Sequence, residues 1–322
     1  MKFPITSVLL SVGLARSTNI LLTSDDGWAV AMIRAQNTAL LDAHYDVVLS
    51  SPADNKSGTG SSSAPSTVLN KTCQFDTCPI GSPPEGYNAS DPRLNYVNSF
   101  PVDAVSYGIR TLAPKIFGRA PDFVVSGPNV GTNLGTTIVG ISGTVGAACE
   151  AALLGVPSAA FSGGGLSHVS YTDLSNNNTN TFSAKIFANL TVEFVDAFLA
   201  DGKPYLPPGV TLNVNYPTLT SSSCTSPSDF TFILTRISPD ASVTDVKICG
   251  TDHLPGETEV VGTQGCFASV SVMNATTKAD VDATTQAFVL NRLTGFLSCL
   301  PEGDDSVEAE KYQRPLGLFG KL

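Results

Sequence analysis

The stretch Asn19-Ile20-Leu21-Leu22-Thr23-Ser24-Asp25-Asp26-Gly27 is a short apolar run that stops on two carboxylates and a glycine. The run reads as a buried strand, and its end reads as chemistry. Neighbouring side chains on a strand point to opposite faces, so Asp25 and Asp26 converge only where the backbone has begun to turn, and Gly27 supplies the turn. Two carboxylates held together repel, and one takes up a proton unless a cation sits between them. A hard divalent metal with oxygen ligands is the natural occupant. The plainer reading is that Asp26 caps the helix that follows, since Asp before an apolar-periodic run is a common N-cap. What the rest of the chain brings to the same place separates the two.

Working outward, Met32, Ile33, Leu40 and Leu41 fit an amphipathic helix between the first strand and a second, Asp46-Val47-Val48-Leu49. That strand-helix-strand unit implies a parallel pair. The second strand runs into residues 53–63, a polar loop rich in Gly and hydroxyls. Such loops are ordinarily surface connections. In an open parallel sheet, however, ligands bind outside the carboxyl ends of the strands. From Leu69 to Asn98 the chain, with Pro79, Pro83, Pro84 and Pro92, reads as an irregular, exposed excursion. Pro101 and Asp103 then mark a helix start.

Asp122-Phe123-Val124-Val125-Ser126 is the third strand, and it too ends in polar residues and glycines, Ser126 through Gly135. Ser142-Gly143-Thr144 opens a helix from Val145 to Leu154, with Gly155 as its stop. Unpaired N–H groups at that helix start favour an anion, although Ser-Gly-Thr is equally ordinary capping chemistry. Pro157 to Ser162 and Val210 to Pro217 read as further strands, and Phe182 to Leu199 as a helix. Phe230 to Ile237 and Cys266 to Val272 read as strands of a later antiparallel element, and Asp280 to Leu297 as a terminal helix. The expected fold class is α/β: a three-layer α/β/α sandwich around a mostly parallel, Rossmann-like sheet, with a C-terminal β-hairpin and helix as an arm.

Composition narrows the function classes. With 42% hydrophobic residues in 322, the chain can bury a sizeable core. Its formal charge of -10 argues against a nucleic-acid partner, because there is no basic stripe to neutralise phosphates. Only 14% of residues are charged, a balance suited to a secreted or glycosylated surface. Residues 1–17 carry the parts of a cleaved secretory leader: Lys2, an apolar Val8 to Leu14 region, and Ala15-Arg16-Ser17 as a small-x-small site. The domain is expected over 18–300, with a core of about 18–220, an arm of about 225–297, and a charged tail at 301–322. Asn55, Asn70, Asn88, Asn177, Asn189 and Asn274 open N-glycosylation sequons. No later stretch approaches the ~18 apolar residues of a membrane span. Seven cysteines include one left over, expected to be Cys149 as a buried free thiol. Cys73 with Cys78, Cys249 with Cys266 as a hairpin clamp, and Cys224 with Cys299 are one arrangement of the rest.

Taken in order, Ser24-Asp25-Asp26-Gly27, Asn55-Lys56-Ser57-Gly58, Pro101-Val102-Asp103, Ser126 through Gly135, Ser142-Gly143-Thr144 and Leu212-Asn213-Val214-Asn215-Tyr216-Pro217 form a specific series. In this the chain resembles the SurE (survival protein E) family of metal-dependent phosphatases, nucleotidases or acid phosphatases, in a secreted, fungal-like form. The resemblance runs from Asn19 to about Leu297. It implies hydrolysis of small phosphomonoesters, with Asp25 and Asp26 catalytic. It also implies a divalent ion held by Asp25, Asp26, Ser57 and Asn129, and a phosphate cradled by Asn133, Ser142, Gly143 and Thr144. Four oxygen donors favour Mg2+ or Mn2+ over Zn2+, with Ca2+ as a stand-in in a crystal. His44, His168 and His253 lie far apart in sequence and read as surface or core histidines. By the same resemblance the arm is exchanged between the subunits of a homodimer. Two departures stand out: Ser24 replaces the Asn usual before the aspartate pair in bacterial members, and Trp28-Ala29-Val30-Ala31 replaces the usual Pro and Gly after it. A glycan at Asn55 would stand beside Ser57, so that sequon is expected to be unoccupied.

Rival readings fare worse. A haloacid-dehalogenase-like phosphatase needs Asp-x-Asp, and a serine hydrolase needs Gly-x-Ser-x-Gly after a strand; neither fits. The non-enzyme alternative is a secreted glycoprotein binding module that keeps the fold without turnover, and the intact Asp25, Asp26, Ser57 and Asn129 argue against it.

Overall fold

A computed structural model of the chain describes residues 17–176, 178–219 and 224–301. The expected leader, apart from Ser17, the tail beyond 301 and the sequon at Asn177 lie outside the described residues. Ten strands form one sheet in the order β10-β8-β9-β7-β6-β5-β1-β2-β4-β3. They are β1 (Asn19–Thr23), β2 (Asp46–Pro52), β3 (Glu85–Asn88), β4 (Asp91–Val97), β5 (Phe123–Val130), β6 (Ser158–Gly163), β7 (Val210–Tyr216), β8 (Thr231–Thr235), β9 (Phe267–Asn274) and β10 (Leu297–Ser298). Every pairing is parallel except β3 with β4 and β7 with β9.

The central strand shows why three layers form. All five residues of β1 are buried. Ile20 and Leu22 belong to one core with α1 (Ala31–Asp42), whereas Leu21 belongs to another with α2 (Pro101–Tyr107). A strand covered on both faces reads as a continuous apolar run, as 20–22 does. The remaining helices are α3 (Ala113–Phe117), α4 (Gly135–Ile141), α5 (Gly143–Leu153), α6 (Thr179–Leu199), α7 (Glu257–Gly262) and α8 (Ala283–Arg292). Helix α6 packs beside α1 on the first face through Phe187, Phe194 and Phe198, while Ala147 and Ala151 of α5 join α2 on the other. β1 lies between β2 and β5. The chain therefore leaves β1 toward one edge and later returns to pair on its other side. That reversal opens a crevice at the carboxyl ends of β1 and β5.

Three expectations are corrected here. The excursion of 69–98 is not irregular throughout: β4 pairs parallel with β2, and Leu94, Tyr96 and Val97 are buried. Pro92 argues against a central strand, but it precedes the pairing with β2, which begins at Leu94, and falls in the register shift of the pairing with β3, where a missing N–H is tolerated. In the arm, β9 runs antiparallel to β7, but β8 pairs parallel with β9, so the two are not a hairpin. The disulfides follow that topology: Cys73–Cys78 forms, while the other four cysteines pair as Cys224–Cys266 and Cys249–Cys299. A parallel crossover carries Cys249 away from Cys266 and brings it to Cys299, just beyond β10. Cys149 is free and buried.

Candidate active site

At the end of β1 the backbone turns at Gly27, whose φ is +100°, and a Cβ built there would lie 2.5 Å from Gln74 Oε1. Only glycine fits. The Gln74 amide fixes the turn, donating from Nε2 to the Asp26 carbonyl at 2.6 Å and accepting at Oε1 from the Ala29 N–H at 3.1 Å. The turn leaves Asp25 2% and Asp26 0% exposed, facing different partners. Asp25 Oδ1 accepts from Thr144 Oγ1 at 2.5 Å, whereas Asp26 Oδ2 accepts from the Val130 N–H at 2.6 Å.

The expected metal ligands converge around this pair. Ser57 Oγ lies 3.4 Å from Asp26 Oδ1, and Thr144 Oγ1 lies 3.4 Å from Asn129 Oδ1 while bonding Asp25. Asn129 Nδ2 donates to the Gly131 carbonyl at 2.7 Å, which leaves its oxygen facing the site. Ser57 is held by Asn55, whose Oδ1 accepts from both the N–H and the hydroxyl of Ser57 at 2.7 Å.

The electrostatics ask for a cation. Burial, then the neighbouring Asp26, push Asp25 up to about 7, against the opposing hydrogen bonds from Thr144. Among the described residues no Lys or Arg lies within ion-pair distance of either carboxylate. Three or more His, Cys, Asp or Glu side chains do not stand ready-assembled as a metal cluster among the described residues, so any further ligand must turn from its present hydrogen bond to reach a cation. A cation here would be held by two carboxylates supplemented by the neutral oxygens of Ser57 and Asn129, a donor set that fits a hard divalent ion.

The phosphate-side residues divide. Ser142 is the N-cap of α5, accepting from the Val145 N–H at 3.1 Å, so the capping reading holds for it. A Cβ on Gly143 would lie 2.8 Å from Asp25 Cβ and 2.9 Å from Pro101 Cγ, so glycine there makes room for the Asp25 carboxylate. The Thr144 hydroxyl is directed at Asp25. Asn133 is turned inward: Nδ2 donates to Ser162 Oγ at 2.7 Å and its N–H to Asn215 Oδ1 at 2.7 Å.

Two residues in contact with the site's loops escape sequence reasoning. His168 is an exposed residue, in keeping with the surface reading, yet its Nε2 lies 2.6 Å from Asp26 Oδ1. The hydrogen bond to Asp26 raises its pKa, against the opposing effect of partial burial. The available signal was position: Gly163-Gly164-Gly165-Leu166-Ser167-His168 leaves the carboxyl end of β6, the same edge as the other loops. Glu257, at the start of α7, is fully buried and accepts from the Gly135 N–H at 2.7 Å and from Asn213 Nδ2 and Ser271 Oγ at 2.9 Å each. Asn213 Nδ2 also donates to the Asn133 carbonyl at 2.9 Å. Glu257 thus ties the C-terminal segment to the 133–135 loop, a link no local motif announces.

An open α/β sheet with a strand-end carboxylate pair, oxygen donors from two further loops and a helix start beside them defines a class of protein acting on an anionic ligand. Comparison makes the class specific. Residues 20–239 match the family model described as survival protein SurE, and the chain belongs to that family. It is 34% identical over 318 residues, covering 89% of this chain and 87% of the other, to an acid phosphatase of Yarrowia lipolytica. It is 38% identical over 149 residues to a 5'-nucleotidase SurE of Halobacterium salinarum, covering 46% and 48% of the two chains. The crystal structure of the SurE protein from Aquifex aeolicus superposes with a TM-score of 0.52 at 25% identity, covering 80% of this chain and 93% of that one.

Proposed function

We propose that this chain hydrolyses small phosphomonoesters with the help of one divalent cation, Mg2+ or Mn2+, held by Asp25, Asp26, Ser57 and Asn129. The observation that carries this reading is the buried Asp25–Asp26 pair, with Ser57 and Asn129 Oδ1 beside it and, among the described residues, His168 at Asp26 but no Lys or Arg within ion-pair distance. A bound divalent ion acts as a Lewis acid on phosphoryl oxygens and lowers the pKa of water. Asp25 orients or deprotonates the attacking water, or itself attacks phosphorus. Thr144 holds Asp25 in place through its hydroxyl. The Ser142 hydroxyl and the positive end of the α5 dipole lie where negative charge would develop on the phosphoryl oxygens. Asn133, pinned from β6 and β7, shapes the far wall of that cradle.

A phosphomonoester that releases a coloured product tests the reading. Turnover is expected to vanish in EDTA and return with Mg2+ or Mn2+; turnover indifferent to EDTA, or none under any metal, overturns it. We further propose that the protein enters the secretory pathway and pairs as a homodimer by exchange of its C-terminal segment. The three disulfides and the surface sequons at Asn70 and Asn189 support the first.

A further inference from the structure

His168 is held at the site by its neighbours. The Val169 carbonyl accepts from the Ala31 N–H at 2.9 Å, and the Tyr171 N–H donates to the Ala29 carbonyl at 2.9 Å. Ser170 bridges Val30 in antiparallel fashion. The three residues after His168 are thereby stitched to residues 29–31, which begin two positions beyond the Gly27 turn. Arg34 locks the join: its guanidinium stacks between the rings of Trp28 and Tyr171, 5.2 and 4.7 Å from their centres, and its Nε donates to the Trp28 carbonyl at 2.7 Å.

The clamp aims one imidazole nitrogen at one carboxylate oxygen. Asp26 Oδ1 has Ser57 Oγ at 3.4 Å and His168 Nε2 at 2.6 Å, and Asn55 Nδ2 stands 3.2 Å from that nitrogen. A nitrogen and a carboxylate oxygen this close share a proton, and when that proton leaves, the same nitrogen lone pair is free to bind a cation held by the oxygen. The same Asp26 oxygen faces Ser57, so any cation shared by these two is within the reach of the imidazole. His168 approaches from the Asp26 side alone, since Asp25 is turned to Thr144.

Resting on the metal-site reading above, we infer that His168 is an additional, nitrogen ligand of the bound cation. The donor set then changes from all-oxygen to oxygen with one imidazole. Carboxylate, carbonyl and water oxygens suit Mg2+ and Mn2+ alike, whereas imidazole adds affinity for the transition ions and little for Mg2+. The chain is thereby a discriminator among divalent ions, preferring Mn2+ and later transition ions to Mg2+ through one side chain.

The test uses full-length protein stripped of metal, with 15N placed only in histidine, loaded with Mn2+ and read by pulsed electron paramagnetic resonance. Calorimetric titration with Mn2+ and Mg2+ accompanies it. Wild type is expected to show a directly bound 15N nucleus that disappears in His168→Ala and His168→Gln. Gln retains a donor for Asp26 but offers a cation only oxygen, which separates ligation from loop positioning. Both variants should lose roughly tenfold or more in Mn2+ affinity with a smaller change for Mg2+. Stoichiometric binding that is abolished by Asp25→Asn but shows no histidine nitrogen overturns this inference and leaves the metal site standing. A nitrogen signal that persists in both His168 variants also overturns it. Absence of stoichiometric Mn2+ or Mg2+ binding in wild type overturns the metal-site reading and this inference with it.

Discussion

Gly143 illustrates how tightly single residues are constrained around the site. Its missing side chain is filled by Asp25 and Pro101, so Gly143→Ala must push the carboxylate or the start of α2 aside. We expect metal affinity and turnover to fall by roughly tenfold or more, the scale on which displaced supporting groups act. The melting temperature should move little; calorimetric titration and steady-state kinetics check this. Glu257 gives a pH prediction. Burial, outweighing its three hydrogen bonds and reinforced by Asp280, raises its carboxyl from 4.5 to about 7. The folded state thus favours the neutral form. That contribution is complete below the unfolded value and is lost as pH rises through about 7, amounting to about 3 kcal/mol at most. Wild type should therefore lose stability as pH rises from 4.5 to about 7, and Glu257→Gln should flatten that slope in urea titrations; parallel slopes would contradict the assignment. The aspartate pair was read from its place at the end of a strand, and Ser57 and Asn129 came from the family resemblance; the fold sets both beside the pair. His168 and Glu257 stayed hidden because long-range pairing places them: 142 residues separate His168 from Asp26, and 122 separate Glu257 from Gly135.

Among the elements, β1, β2, β5, β6 and β7 were legible because buried parallel strands are bare apolar runs ended by turn residues. The strand β4 was not. Its sequence Asp-Pro-Arg-Leu-Asn-Tyr-Val opens with polar residues and a proline, and only its last four residues are buried. The C-terminal strands were seen but their direction was not, and the cysteine pairs followed that misreading, since connectivity depends on topology that spacing does not encode. The Cys249–Cys299 bridge spans 50 residues and closes β10 and α8 onto the rest. By chain entropy a loop of that size contributes about 4 kcal/mol. Removing it with Cys249→Ser and Cys299→Ser together should lower the melting temperature by several degrees, and non-reducing peptide mapping should recover 224 with 266 and 249 with 299. Recovery of Cys249 joined to Cys266 would contradict the fold of this segment.

At the scale of the whole molecule, a 10-stranded sheet brings loops far apart in sequence to one edge, and Glu257 makes the C-terminal segment part of the support beneath the 133–135 loop. If that segment is exchanged between subunits, light scattering at micromolar concentration should give twice the monomer mass; a monomer would count against exchange while leaving the site intact. The claim on which everything else depends is that the strand-end carboxylates perform metal-assisted chemistry and do not merely cap a helix. The most direct measurement is the turnover number of Asp25→Asn on a phosphomonoester at saturating Mn2+, with circular dichroism confirming the wild-type fold. The substitution keeps the shape and removes the charge, so turnover should fall by roughly 10²-fold or more, the scale of losing a general base. Near-normal, metal-dependent turnover in a correctly folded Asp25→Asn protein would contradict the account.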